Sequence, residues 1–323
     1  MSTPTSGRDG RPAASRTASR TPARGGTEDA GAGPDGDSRR APQAGVPAGR
    51  EGFAEGAERV VLLAADGVAV EAVYEPADCG AEVTENAAGR VPVTVVAHGF
   101  TGSARRPHVR RAAAAFRRHG AVITFSFRGH GASGGRSTVG DREVLDLAAA
   151  VAWARRLGHR TVWTVGFSMG GSVVLRHAAL YRAGTPDAHG PAHTDAVVAV
   201  SAPARWYYRG TAAMRRLHWV VTRPLGRAVG RYGLRTRIHT SDWDPVPLDP
   251  AEAAARIAPV PLLLVHGDRD PYFPLDHPRA LAAAAGKTAE LWLEPGMGHA
   301  ENAAAEELLD RIARWTARHA PAG

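Results

Sequence analysis

Residues 161–171, TVWTVGFSMGG, constrain the fold more than any other stretch of the chain. Thr161, Val162, Thr164 and Val165 are β-branched and flank Trp163, a composition suited to a strand. The run stops at Gly166-Phe167-Ser168-Met169-Gly170, with Gly171 behind it. Val173, Val174, Leu175, Ala178, Ala179 and Leu180 then follow in the pattern of an apolar helix. A strand that gives way to a helix within so few residues needs a sharp turn, and that turn holds Ser168 in a strained backbone conformation. Gly166 and Gly170 are expected because a Cβ at either place would meet the neighbouring strand or helix. The Ser168 hydroxyl would stand out over the sheet edge, above the positive end of a helix. A chain with 37 glycines can also produce such a pentapeptide by chance, so the remaining sequence has to decide.

The pattern on either side repeats strand and helix. Strands are expected at residues 59–64, 68–74, 91–97, 121–125, 161–165, 196–200, 260–266 and 289–293. Helices are expected at 109–119, 141–157, 275–285 and 301–319, besides the one that follows Ser168. Ala65-Asp66-Gly67 reads as a hairpin turn, so the first two strands are antiparallel, and residues 76–90 read as a polar loop. Alternating strands and helices predict an α/β fold, with a mostly parallel eight-stranded sheet covered on both faces. Residues 1–57 contain one aromatic residue, Phe53, and almost no aliphatic ones beyond alanine. They cannot bury enough apolar surface to offset chain entropy, so a disordered tail is expected before a folded domain at 58–323.

In an open parallel sheet, reactive groups collect at the carboxyl ends of the strands. A serine hydroxyl there needs a base, and the base needs an orienting carboxylate. The strand at 260–266 runs into Gly267-Asp268-Arg269-Asp270-Pro271, which offers two acids, Asp268 and Asp270. The strand at 289–293 runs into Glu294-Pro295-Gly296-Met297-Gly298-His299, whose small residues let a loop carry the imidazole back toward the serine. His130, within Arg128–Gly135 (RGHGASGG), is a competing histidine, but its glycine neighbours suit loop geometry.

From residue 58 to the C-terminus the chain resembles the α/β-hydrolase family. Gly-x-Ser-x-Gly around Ser168 is similar to that family's nucleophile elbow. The loop at 128–135 and the helix at 142–154 resemble its monoacylglycerol-lipase, serine-aminopeptidase and small-esterase branch. The resemblance implies Ser168 as nucleophile, Asp270 rather than Asp268 as the acid, and His299 as the base, in the family's chain order. It also implies an oxyanion hole made by the backbone N–H groups of Phe100, after His98-Gly99, and of Met169. A short helical lid is implied between the sixth and seventh strands, at about 202–259. The activity implied is hydrolysis of a carboxylic ester, thioester or amide through an acyl-enzyme. An acyltransferase using the same triad, and a non-catalytic binding protein on the same scaffold, are the alternatives.

The lid segment is where the net charge of +8 concentrates: residues 202–241 hold nine arginines and no acidic residue. Met214, Leu217, Val221 and Leu225 are spaced for one face of a helix, and Trp206, Tyr207, Tyr208, Trp219 and Tyr232 add aromatic surface. Two readings are open. The arginines steer an anionic small-molecule acyl substrate, an acidic carrier protein or an anionic membrane surface, or they are a solvated face in an arginine-rich chain. No run of about 18 apolar residues predicts a transmembrane segment, and the N-terminal residues lack a secretory apolar core. Cys79 is the only cysteine, and neither a His-Glu-x-x-His motif nor a P-loop is present. A cytoplasmic enzyme that needs no metal or other cofactor and binds no nucleic acid is the expectation. Oligomeric state is not legible.

Overall fold

A computed structural model of the chain describes residues 53–78, 91–184 and 191–319. The expectations for the tail as far as residue 52, for most of the 76–90 loop and for Cys79 lie outside the described residues. Eight strands form one sheet in the order β1-β2-β4-β3-β5-β6-β7-β8. They are β1 Glu58–Leu63, β2 Ala69–Glu75, β3 Val93–Ala97, β4 Ala121–Phe125, β5 Val162–Phe167, β6 Ala196–Val200, β7 Leu262–Gly267 and β8 Ala289–Glu294. β2 runs antiparallel to β1 and β4, and every other neighbouring pair is parallel. The expected sheet is therefore present, strand for strand.

The side-chain alternation of the strands divides the core into two layers. Val93, Val95 and Ala97 of β3 belong to one layer, which they share with the helical residues Leu147, Val173 and Leu175. Val96 belongs to the other, with Val165, Phe167, Val200 and Val265. The first layer is covered by α2 (Glu143–Arg156), α3 (Met169–Leu180) and α7 (Asp276–Ala285), and the second by α1 (Pro107–Arg117) and α9 (Glu306–Arg318). After β3 the chain goes to β4 on one side and then returns to β5 on the other. The carboxyl ends of β3 and β5 thus flank the point where the winding reverses, the crevice in which open α/β sheets hold ligands.

Two helices differ from expectation. Met214, Leu217, Val221 and Leu225 do not share one helix: α4 (Ala212–Thr222) stops, and α5 (Pro224–Tyr232) begins anew. Pro224 has no N–H to continue α4, and Arg223 before it is extended at φ −96°, ψ 141°. Leu225 is consequently 68% exposed. The closing helix is likewise interrupted, between α8 (Ala300–Ala303) and α9. Ala304 and Ala305 are extended there, and the Arg111 guanidinium takes up the freed end of α8 by donating to the Glu301 and Ala304 carbonyls at 2.7 and 2.9 Å. A short helix α6 (Pro250–Ala254), boxed by Asp249 and Glu252, returns the chain to β7. Among the described residues no helix is long and apolar enough to cross a membrane.

Candidate active site

The turn between β5 and α3 has the strain its glycines announce. Ser168 sits at φ 51°, ψ −113°, a conformation that a residue with a Cβ rarely adopts. Its N–H is anchored to the Val200 carbonyl of β6 at 2.8 Å. A Cβ on Gly166 would lie 2.1 Å from the Gly170 carbonyl oxygen, and one on Gly170 would lie 2.2 Å from that of Ala97. The close crossing of α3 over β3 and β5 leaves no room for either.

The loops after β7 and β8 bring two further side chains to this turn. His299 Nε2 is 2.8 Å from Ser168 Oγ, and His299 Nδ1 is 2.7 Å from Asp270 Oδ2. Asp270's side chain is buried, and its Oδ1 accepts the N–H groups of Tyr272 and Phe273 at 2.8 and 3.1 Å. Burial opposes ionisation of Asp270, but the hydrogen bond and charge of His299 and the two backbone donors outweigh it and hold its carboxyl below the usual range. An ionised Asp270 accepts a hydrogen bond from Nδ1–H, the tautomer that turns the Nε2 lone pair toward the serine hydroxyl. Asp268 is exposed instead and accepts the Gly296 N–H at 2.7 Å. The structure therefore joins Ser168, His299 and Asp270 and leaves Asp268 to brace a loop.

Across the crevice, the loop after β3 is fixed by side chains that the sequence did not single out for this purpose. The Gly99 N–H donates to Glu301 Oε1 at 3.0 Å, and the Thr101 N–H donates to His130 Nε2 at 3.3 Å. His130 Nδ1 faces the Arg128 carbonyl at 3.0 Å, so both its nitrogens serve loop backbone. His98 accepts the Phe127 N–H on Nε2 at 3.0 Å and gives its Nδ1–H to the Gly99 carbonyl at 2.7 Å. Between these tied residues, the Phe100 N–H has no acceptor among the described residues. The Met169 N–H, first in α3, has no carbonyl a turn earlier in its own helix to receive it. The loop at 128–135 is bolted down in turn. Arg128 pairs with Asp146 at 2.7 Å and Asp66 at 2.6 Å, and a Cβ on Gly129 would lie 2.4 Å from the Arg237 carbonyl.

Burial, and for His98 the neighbouring His130, pushes the pKa of His98 and of His177 on α3 from 6.5 down to about 3. The unfolded chain then binds more protons as pH falls below the ordinary histidine value, so stability is present above it and is lost progressively toward the folded value. At pH 5 the expected cost is about 2 kcal/mol for each histidine. The urea midpoint should fall clearly between pH 7.5 and pH 5; an unchanged midpoint would contradict the buried neutral state of both.

A cavity of about 230 Å³ opens beside Ser168. Phe100, Met169 and Phe273 line it near the serine, and Met214, Leu217 and Val221 of α4 line it from above. The wall is mostly apolar, with Arg205, Arg209 and Asp242 also on it.

A family model described as the alpha/beta hydrolase family matches residues 94–311. No curated protein matches the chain in sequence. Among solved structures, the Pyrococcus furiosus esterase Pf2001 is similar with a TM-score of 0.61 and 22% identity, over 86% of this chain and 99% of that one. The alpha/beta hydrolase GrgF from a Penicillium species is similar with a TM-score of 0.61 and 18% identity, over 81% and 98%. XC6422 from Xanthomonas campestris, described as an α/β serine hydrolase without a lid, is similar with a TM-score of 0.51 and 20% identity, over 84% and 98%. At these identities the structural likeness speaks for the fold.

Proposed function

We propose that this chain, which belongs to the alpha/beta hydrolase family, hydrolyses a small-molecule carboxylic ester, thioester or amide through an acyl-enzyme formed on Ser168. The observation that carries the reading is the continuous relay from Ser168 Oγ through His299 to Asp270, with contacts of 2.8 and 2.7 Å. Ser168 Oγ bonds to the substrate carbonyl carbon as its proton passes to His299 Nε2, and the carbonyl π pair moves onto oxygen. The Phe100 and Met169 N–H groups receive that oxyanion. When the carbonyl re-forms, the bond to the leaving group breaks and the leaving group takes the proton from His299. Water then repeats the sequence on the acyl-enzyme, releasing the acid and restoring Ser168. Asp270 fixes the imidazole tautomer and stabilises the imidazolium at each stage. In this reading the folded domain begins near residue 58, and the segment 202–259 serves as a lid whose α4 roofs the acyl cavity.

A fluorophosphonate probe tests the reading. It should label the wild-type chain and fail to label Ser168→Ala, and p-nitrophenyl esters of graded chain length should then size the cavity. Labelling that persists in Ser168→Ala would overturn the assignment of the nucleophile. The two acids after β7 should also separate: Asp270→Asn should lower kcat by about 10³–10⁴-fold, whereas Asp268→Asn should stay within about threefold. Equal losses in the two variants would contradict the relay.

A further inference from the structure

We propose that a second cavity, next to the acyl cavity, binds a phosphate group carried by the substrate, so that the compound cleaved at Ser168 is a phosphate-bearing acyl ester or thioester. This deepens the serine-hydrolase reading and rests on it. The cavity measures about 190 Å³ and is lined by Arg136, Arg227, Arg231 and Arg237, together with Tyr232 and Thr240. No carboxylate lines it among the described residues.

Arginine is abundant in this chain, and several arginines elsewhere are neutralised by a carboxylate. Arg105 pairs with Glu71, Arg118 with Glu306, Arg128 with Asp146, Arg155 with Asp195 and Arg205 with Asp276. Among the described residues, none of the four arginines at the second cavity has such a partner. Four like charges around one small volume repel one another, and the fold fixes two of them in place with neutral groups. Arg227 donates to the Thr222 carbonyl at 2.9 Å, and Arg237 donates to the Ser133 carbonyl. The Arg237 Nε is buried without an acceptor, a donor for which a phosphate oxygen would supply the missing partner. Planar guanidinium forks and a threonine hydroxyl suit the tetrahedral oxygens of a phosphate.

The position of the cavity relates it to Ser168. Ile238 lines both cavities and forms the partition between them. It is held by a bridge to Ser137, itself on the wall of the acyl cavity. A substrate with its acyl group beside Ser168 and its phosphate on a linker that passes Ile238 would meet both. Phosphates of this kind occur on nucleotide-bearing acyl thioesters and on lysophospholipids, and the structure specifies their shared group.

The test uses the full chain and two substrate pairs that differ in phosphate: an acyl-coenzyme A against the same acyl N-acetylcysteamine thioester, and a lysophosphatidate against the matching monoacylglycerol. At least one phosphate-bearing member should be preferred in kcat/KM, and that preference should fall at least tenfold in the double variant Arg136→Gln, Arg231→Gln and in 0.5 M salt. The pair that shows it identifies the source of the phosphate. No preference in either pair, or a preference the double variant leaves within twofold, overturns the proposal. Calorimetric titration with inorganic pyrophosphate reads the subsite apart from catalysis. Binding weakened at least tenfold in the double variant supports the subsite even if no ester is turned over, in which case the hydrolase reading is what fails. Turnover of neutral esters with no pyrophosphate binding, or with binding equal in both proteins, sinks the subsite and leaves the hydrolase reading standing.

Discussion

Ser168→Ala should lower kcat for a p-nitrophenyl ester by about 10⁴-fold or more while leaving the fold intact. The size follows from the geometry. The Ser168 hydroxyl is the group that the turn presents to His299 Nε2, 2.8 Å away, and without it the proposed acyl intermediate cannot form. The fold survives because the anchors of the turn are backbone ones: the Ser168 N–H to Val200, and the Ser172 N–H back to the Ser168 carbonyl. Alanine keeps the Cβ and with it the strain at φ 51°. Ser168→Gly removes the strain as well, and should be about 1 kcal/mol more stable than Ser168→Ala. Steady-state rates and urea midpoints of the two variants check both halves of the prediction. Activity in Ser168→Ala within tenfold of wild type would refute the mechanism.

Gly170→Ala should be among the most destabilising single methyl additions in the chain, with an expected loss of about 4 kcal/mol. The new Cβ would lie 2.2 Å from the Ala97 carbonyl oxygen and 2.7 Å from the His98 one. Both belong to backbone at the end of β3, which cannot swing aside as a side-chain tip can. Relief requires α3 to lift from the sheet, which opens the layer around Val173 and Leu175 and displaces the loop that presents the Phe100 N–H. Stability and turnover should therefore fall together. Gly67→Ala is the comparison: its φ is +78°, but nothing lies within 4 Å of the added carbon, so the cost should be about 1 kcal/mol with activity retained. Equal midpoints for the two variants would refute the packing argument.

The central strands β3 to β7 are legible in the sequence because each is a short apolar run bounded by turn residues and buried on both faces, whereas the partly exposed edge strands β1 and β8 mix apolar with charged residues. The turn that carries Ser168, the proposed nucleophile, is legible for the same local reason, since Gly166, Ser168 and Gly170 encode one turn. Asp270 is separable from Asp268 only through the family pattern. The physical difference, burial against the N–H groups of Tyr272 and Phe273 for one and an exposed loop brace for the other, depends on chain folding after β7. Glu301 carries no local signal because its partner, Gly99, lies 202 residues away, and no spacing records that pairing. From Met214 to Leu225 the helical pattern masks the plain signal of Pro224, which breaks it. The arginine cavity is half visible. The charge of residues 202–241 stands out, but the convergence of Arg136 with Arg231 and Arg237 is made by the fold.

The relay and its brace also bear on the order in which the chain becomes competent. Ser168 and His299 are separated by 131 residues, and Gly99 and Glu301 by 202. Both spans are closed by the short stretch from β8 into α8, at the far edge of the sheet. A chain that has formed its central strands, its turn at Ser168 and most of its helical signal still lacks the proposed base, His299, and a settled loop at Phe100. During refolding, or as the chain leaves the ribosome, reactivity toward a serine-directed probe should arrive after the bulk of the secondary structure. On the proposed mechanism, labelling of Ser168 would mark the docking of the stretch beyond β8.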